Sequence, residues 1–334
     1  MQFKAIRHAA TIAVVLALFV VMLGAYTRLT DAGLGCPDWP GCYGHMVLPS
    51  AQNDLQNAQS QFPQVPIEAR KAWTEMAHRY AAGTLGLLIL FIATSVLWRR
   101  IQGMRLPWQL PLFLVLLVLF QAALGMWTVT LKLLPVVVMG HLLGGILIFA
   151  CLCRLRLQYS SALPISLPRW HTWIALGALI VFCQIALGGW VSSNYAGIAC
   201  IGFPQCNGQW LPALHFSQGF NLFSPVGENY QGGLLDNDIR MTIQYIHRLG
   251  AVLTAVYILV LSFLLLTRVK SSLLRFYALI AIILVLFQFL LGVMNVVYLL
   301  PLWVAVAHNG VAALLMATLL MMLYLSQRRA SDAG

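Results

Sequence analysis

The chain has 334 residues, of which 60% are hydrophobic and 9% are charged, and its formal net charge is +11 at pH 7. This balance excludes an ordinary soluble domain and indicates a membrane protein. The basic residues lie at alternate ends of the apolar stretches and do not form one continuous patch. Their placement therefore indicates membrane topology and argues against binding of nucleic acid.

Eight apolar stretches have the length of about 20 residues that a membrane-spanning helix needs. In chain order they are Ala9–Tyr26, Tyr80–Trp98, Leu112–Leu131, Leu133–Leu152, Trp173–Val191, Met241–Leu266, Phe276–Leu300 and Leu302–Leu325. The sequence therefore predicts an all-α membrane protein with eight transmembrane helices.

The lysines and arginines mark one side of the membrane. By the positive-inside rule this side is cytoplasmic, which predicts that both termini lie in the cytoplasm. The expected location is a bacterial inner (plasma) membrane. The acidic residues lie mostly on the other, outer side. The basic residues that carry the prediction are Lys4, Arg7, Arg99, Arg100, Arg105, Arg154, Arg156, Arg169, Arg268, Lys270, Arg275, Arg328 and Arg329.

Two loops on the outer side share one cysteine spacing. The first loop contains Cys36 and Cys42, and the second contains Cys200 and Cys206, so that both pairs are C-x5-C. In an oxidising compartment such a pair predicts a local disulfide. A zinc site built from all four thiolates is the alternative, and it requires the two loops to meet.

The cysteine loops belong to an internal duplication. Landmarks of the first half recur in the second half at a nearly constant offset along the chain, and each half contains four apolar stretches in the same orientation. This pattern predicts two pseudo-symmetric four-helix bundles, formed by residues 1–160 and residues 161–334. The matching landmarks are Cys36 with Cys200, Cys42 with Cys206, His78 with His247, and His141 with His308.

Four of the eight histidines lie at or just inside the second, fourth, sixth and eighth apolar stretches, in the outer half of the bilayer. They are His78, His141, His247 and His308. Ionisable groups within membrane spans are costly and indicate function, although a single histidine could simply hydrogen-bond a neighbouring helix. Two neutral imidazoles per bundle at matching depth favour the axial positions of a haem, because the thiolates and carboxylate clusters that suit other metals do not occur at that depth. The remaining histidines are interpreted as surface side chains, and they are His8, His45, His171 and His215.

A carboxylate distinguishes the two halves. Glu75 lies three residues before His78 and on the same helical face, whereas Gln244 occupies the matching position in the second half. A carboxylate takes up protons or stabilises a developing positive charge where an amide does not, so Glu75 is the candidate catalytic residue. Its alternative role is that of a helix-start carboxylate favoured by the helix dipole. Arg79 and Arg248 are candidates to bind haem propionates, or to extend toward lipid headgroups.

Several motifs, in order and in duplicate, carry a resemblance over nearly the full length of the chain. They are Gly33-Leu34-Gly35-Cys36-Pro37-Asp38-Trp39-Pro40, Glu75-x-x-His78-Arg79, Gly140-His141, Cys200…Cys206, Ile246-His247-Arg248 and Ala307-His308-Asn309-Gly310. Together these motifs resemble those of the haem A synthase family.

The resemblance implies an enzyme that oxidises the C8 methyl group of haem O to a formyl group by successive hydroxylations. It implies that His247 and His308 hold the iron of a haem b cofactor, that His78 and His141 face the substrate haem O, and that Glu75 is catalytic. It also implies haem O synthase and an unidentified electron acceptor as partners, besides membrane lipid.

Two alternatives from other classes remain open. One is a di-haem b-type electron carrier linked to quinol, and the other is a haem-transfer protein in which Glu75 is only structural. The outer position of all four membrane histidines argues against a carrier that moves electrons across the membrane.

Overall fold

The computed structural model describes residues 4–48, 52–160 and 164–327. Within these ranges the chain forms ten α-helices and no β-strand. Two helices, α2 (Gln52–Gln61) and α7 (Phe216–Gly219), lie in the outer loops. The other eight are long and apolar enough to cross a membrane, which confirms the predicted fold class. They are α1 (Lys4–Leu29), α3 (Ala69–Ile101), α4 (Gln109–Thr130), α5 (Pro135–Gln158), α6 (Pro168–Ser193), α8 (Asn237–Arg268), α9 (Ser272–Val297) and α10 (Leu302–Ser326).

Helix α3 extends well beyond the apolar stretch predicted for it. The stretch begins at Tyr80, whereas the helix begins at Ala69. Hydropathy marks only the part of a helix that lies in lipid, and the polar residues before Tyr80 continue the same helix on the outer side. Glu75 and His78 are therefore on one continuous helix, as their shared face requires. Arg328 and Arg329, which contribute to the topology prediction, lie outside the described residues.

The membrane helices pack in two closed rings of four. In the first ring α1 contacts α3, α3 contacts α4, α4 contacts α5, and α5 contacts α1. Helices α6, α8, α9 and α10 contact one another in the same cyclic order. Helix α10 also packs against α1 and α5, and α5 packs against α6. These contacts are compatible with the predicted pair of four-helix bundles, while the division at residue 160 remains a prediction.

The largest hydrophobic core lies toward the inner ends of both rings. On α1 it begins with a stripe of fully buried small residues, Ala10, Ala13 and Ala17. Small side chains let membrane helices approach closely, which gives van der Waals packing in place of a hydrophobic driving force. The outer ends carry only smaller clusters, and this leaves room for the histidine sites above the main core.

Unusual backbone conformations recur at matching positions of the duplication. Six non-glycine residues with positive φ fall into three pairs whose members differ by only a few degrees. They are Asp31 (51°) with Tyr195 (54°), Tyr43 (53°) with Asn207 (50°), and Leu133 (62°) with Leu300 (65°). L-residues seldom adopt this region, so the agreement indicates that the two halves turn in the same way at these positions.

Candidate functional site

The four membrane histidines lie near the outer ends of four different helices. His78 is on α3, His141 on α5, His247 on α8 and His308 on α10. Each is between six and ten residues from the first residue of its helix, which is a depth of about 9–15 Å at about 1.5 Å per residue. The first two belong to the first helix ring, and the last two belong to the second.

Each histidine ring packs against a glycine on the preceding membrane helix. A Cβ atom at Gly24 of α1 would lie 2.9 Å from Cε1 of His78, and one at Gly188 of α6 would lie 3.1 Å from Cε1 of His247. A Cβ atom at Gly125 of α4 would lie 3.3 Å from Cε1 of His141, and one at Gly292 of α9 would lie 3.3 Å from Cε1 of His308. A Cβ atom at Gly24 would force the His78 ring to move, and one at the other three positions would make a tight contact that shifts the ring by a few tenths of an ångström, so the glycines help to set where the imidazoles lie.

The sequence contains the signal for these glycines. A Leu-Gly pair occurs at each of the four positions, but sequence reasoning uses it only as a landmark of the duplication. The glycines that lie close to His141 and His308 along the chain do not face the imidazole rings. Gly144 faces the side chain of Gln121, and Gly310 faces Met22 of the other ring, whereas Gly145 has open space beside it.

The first histidine pair has the spacing of two ligands on one metal. The ring centroids of His78 and His141 are 6.3 Å apart, and the rings are inclined at 78°. A metal bonded at about 2.0–2.1 Å to one nitrogen of each ring, with that nitrogen about 1.1 Å from the ring centroid, would separate the centroids by about 6.3 Å. The two side chains therefore fit the axial ligands of a haem iron.

The second pair lines a large cavity. Its volume is about 820 Å³, and both His247 and His308 are on its wall together with Gly188 and Gly292. This volume is in the range of cavities that hold a cofactor or a drug-sized ligand, about 300–1,000 Å³. The cavity, the two imidazoles and the glycines that seat them fit a haem in the second ring.

The cavity of the second helix ring is also lined by several amide side chains. Gln184, Gln244, Gln288 and Asn295 line it, and a side-chain oxygen of each is buried without a hydrogen-bond partner. Such atoms are costly when unpaired, so they are groups that a bound molecule would satisfy. Of the four, Gln244 and Asn295 are buried, at 6% and 9% exposure.

Both cysteine pairs form local disulfides in the structure. The S–S distances are 2.01 Å for Cys36–Cys42 and 2.07 Å for Cys200–Cys206. This agrees with the predicted pairing, which leaves no free thiolate of these four cysteines for the alternative zinc site. Among the described residues no group of three or more His, Cys, Asp or Glu side chains is placed to hold a metal ion. A bis-imidazole haem site needs only two protein ligands and is compatible with that finding.

The two arginines that follow the histidines clamp the disulfide loops. Arg79 Nη1 donates to the carbonyl oxygens of Asp38 at 3.0 Å, of Pro40 at 3.2 Å and of Gly41. Arg248 donates in the same manner to the carbonyl oxygens of Gly202, Gln205 and Cys200. Two of these acceptors in each loop, Asp38 with Gly202 and Gly41 with Gln205, match at the offset of the cysteine pairs. These contacts give both arginines a structural role at the loops, and their contact with haem propionates remains a prediction.

Glu75 joins the first loop to helix α3. Its Oε2 accepts a hydrogen bond of 2.9 Å from the backbone N–H of Cys36, and its Oε1 pairs with Nη2 of Arg79. The residue is only 5% exposed. Gln244, at the matching position, is also buried, and its Oε1 has no partner. The carboxylate therefore fixes the loop next to the first histidine pair, and the second half has no equivalent bond.

Tyr43 is a buried tyrosine beside the acidic groups of the first loop. Its side chain is fully buried, and its hydroxyl donates to the carbonyl oxygen of Pro66 at 3.1 Å. Burial is the main cause that raises the pKa of the Tyr43 hydroxyl, and the negative charges of Glu68, Glu75 and Asp38 raise it further. The phenol therefore remains a hydrogen-bond donor well into alkaline solution.

The four histidines predicted to be surface side chains are outside both sites. His8, His45 and His215 are exposed. His171 is half-buried, and its Nδ1 lies 3.1 Å from the hydroxyl of Ser326, near the start of α6 and the end of α10.

Comparison with known proteins matches residues 7–320 of the chain to the family described as COX15-CtaA, cytochrome oxidase assembly protein. A protein of Shewanella oneidensis strain MR-1 named "Heme A synthase" is 46% identical over 330 residues, which cover 97% of each chain. A protein of Allorhizobium ampelinum with the same name is 31% identical over 333 residues, covering 91% of this chain and 85% of the relative. Another from Shouchella clausii is 27% identical over 253 residues, covering 73% and 70%.

Proposed function

Because the chain belongs to the COX15-CtaA family of cytochrome oxidase assembly proteins, we propose that it acts as a haem A synthase, an enzyme that oxidises the C8 methyl group of haem O to a formyl group. A relative that shares 46% of its residues over nearly the whole chain carries that name. The observation that carries the proposal is the pair of matched bis-histidine sites, of which only the first has a carboxylate, Glu75, three residues before its first histidine, where the second has Gln244. Two equivalent haem sites with one catalytic group are what an enzyme needs when one haem is its cofactor and another is its substrate.

The second half, residues 161–334, is proposed to hold the cofactor. Its cavity of about 820 Å³ has His247 and His308 on its wall, and these two side chains would hold the iron of a haem b. When bound there, haem b supplies reversible one-electron chemistry. Gly188 and Gly292 leave the space in which the imidazole rings of His247 and His308 lie.

The first half, residues 1–160, is proposed to take the substrate. His78 and His141 have the spacing for axial ligation of haem O. Glu75 lies one helical turn outward from His78 on the same face, and it is held there by Cys36 and Arg79. A carboxylate fixed at the edge of the substrate site can take a proton or stabilise a positive charge that develops during oxidation.

The surroundings of the enzyme follow from the same proposal. The disulfide loops belong on the oxidising side of a bacterial inner membrane, with both termini in the cytoplasm. The hydrophobic substrate would arrive from haem O synthase within the membrane, and an electron acceptor must regenerate the cofactor.

Incubation of the purified protein with haem O, followed by extraction and chromatography of the pigments, tests the proposal. Formation of haem A supports an enzyme. Haem O recovered unchanged, from protein that holds haem b in its second half and is supplied with an electron acceptor and oxygen, would contradict the proposal and favour an electron carrier or a haem-transfer protein.

A further inference from the structure

His247 differs from the other three membrane histidines in what its ring contacts. The side-chain Nε2 of Gln184, on α6, lies 3.1 Å from Nδ1 of His247 and donates to the backbone oxygen of the same residue at 2.9 Å. The Nδ1 atoms of the other three histidines have no well-aligned hydrogen bond. They lie near backbone carbonyl groups of the neighbouring helix, those of Val20, Gln121 and Gln288.

The difference is built into matching positions of the two halves. At the offset that relates the cysteine pairs, Gln184 corresponds to Val20, which has no hydrogen-bonding side chain. The amide of Gln184 occupies space in front of Gly250, where a Cβ would collide with its Oε1 and lie 3.4 Å from its Cδ. At the offset that relates His247 to His78, Gly250 corresponds to Ala81. The second half therefore has both the amide and the space for it beside His247, and the first half has neither beside His78. Gln121 of the first half faces Gly144 in a similar way, but its amide Nε2 and the Nδ1 of His141 both lack a hydrogen-bond partner.

We infer that Gln184 is a positioning residue for the haem ligand His247, and that it slows the loss of haem from the second half. The inference rests on the proposed assignment of the cofactor to that half. Hydrogen bonds to the second nitrogen of a metal-bound imidazole fix its orientation and raise its strength as a ligand. Such a bond suits a cofactor that must remain bound. The valine at the matching position of the first half suits a site whose substrate and product must exchange.

The protonation pattern of a metal-bound imidazole determines which amide atom of Gln184 would bond to Nδ1 of His247. Nδ1 faces Gln184, so Nε2 of His247 is the nitrogen available to the iron, and Nδ1 then carries the hydrogen. The acceptor for that hydrogen is Oε1 of Gln184, which is buried and has no partner. Rotation of the amide about its last side-chain bond exchanges Nε2 for Oε1 beside the ring, at the expense of the hydrogen bond that Nε2 donates to the backbone oxygen of His247. This bond would strengthen the imidazole as a donor to iron and lower the reduction potential of the haem.

Gln184→Met is the direct test, because methionine has nearly the volume of glutamine and removes only the hydrogen bonds. Purified holoprotein of each variant is mixed with an excess of apomyoglobin, and haem transfer is followed by its absorbance. The midpoint potential of the second-half haem is measured in parallel. Gln158→Met is the matched control, since Gln158 is the last residue of α5 and does not line the cavity.

We expect Gln184→Met to lose haem about 10–100-fold faster than the wild type and to raise its midpoint potential, with the control unchanged in both. Gln184→Glu keeps an acceptor beside Nδ1, so it should retain haem and shift the potential in the opposite direction. Wild-type haem loss and potential in Gln184→Met would overturn the inference. If Gln184→Met does not fold, an unchanged potential in Gln184→Glu would overturn it. Undiminished second-half haem in His247→Ala would instead overturn the proposed function.

Discussion

Replacing Glu75 by glutamine separates the structural role of this carboxylate from its chemical role. The substitution gives the first half the residue that the second half has at Gln244. An amide oxygen still accepts the hydrogen bond from the Cys36 N–H. What is lost is the ion pair with Arg79, whose side chain is 13% exposed against 6% for Glu75.

The structure sets the expected size of both effects. Breaking a buried ion pair costs about 3–5 kcal/mol when the remaining charge is left unpaired. Arg79 keeps three carbonyl acceptors in the first loop, so the cost should be closer to that of one charged hydrogen bond, about 1.5–3 kcal/mol. A catalytic role predicts in addition that turnover falls by about 10²–10⁴-fold, the usual effect of removing a positioned acid–base group.

The assay measures haem A formed from haem O and thermal unfolding on the same preparations. Glu68→Gln is the control, because Glu68 forms an ion pair of 3.0 Å with Lys71 at the surface of the same region. An exposed pair contributes about 0–1 kcal/mol, so this variant should keep both stability and turnover. Full turnover in Glu75→Gln, together with lowered stability, would refute the catalytic reasoning and leave Glu75 as a support for the loop.

Three further predictions concern the cofactor site and the first loop. Gly188→Ala should reduce the haem content of the purified protein, because the new Cβ would lie 3.1 Å from Cε1 of His247. Gly83→Ala is the control and should keep its haem, since nothing lies within 4 Å of its Cβ position. Equal haem content in the two variants would contradict the role of Gly188. His247→Ala should remove the low-spin haem spectrum, and His171→Ala should leave it unchanged. The raised pKa of Tyr43 means that the folded protein holds this proton more tightly than the unfolded chain, so stability is fully present below about pH 10 and is lost as the pH rises through the folded pKa. Unfolding curves of Tyr43→Phe should show a smaller loss between pH 9 and 11 (about one unit to either side of the ordinary tyrosine pKa), and an unchanged pH dependence would argue against this cause.

The eight spans could be predicted from the sequence because a lipid environment requires long apolar stretches. The beginnings of the helices follow less reliably: α10 starts at Leu302 as predicted, whereas α3 starts at Ala69, eleven residues before the apolar stretch. The outer helix α2 could not be predicted for a related reason. Its residues, Gln52–Gln61, are mostly polar, and Leu55 and Ala58 are its only apolar side chains, so the signal for a helix is short and weak.

The four candidate histidines could be picked out from the sequence, and their role as ligands stays a prediction, but the contacts that support them could not be foreseen. The histidines recur at steady offsets along the chain, and the structure brings each pair into one helix ring. The bond between Glu75 and the Cys36 amide joins residues 39 positions apart, and no local pattern specifies it. The contact between Gln184 and His247 spans 63 positions. A comparison of the two halves at fixed offset could have singled out Gln184, since the matching position of the first half is occupied by Val20.

The pigments of single-histidine variants distinguish between a substrate role and a cofactor role for each histidine pair. His78→Ala and His308→Ala are purified in parallel, supplied with haem O, and their extracted haems are separated and quantified. We expect His78→Ala to retain haem b but to form no haem A, whereas His308→Ala should lack stably bound haem b. Loss of haem b from His78→Ala, with its retention in His308→Ala, would reverse the proposed assignment of the two halves.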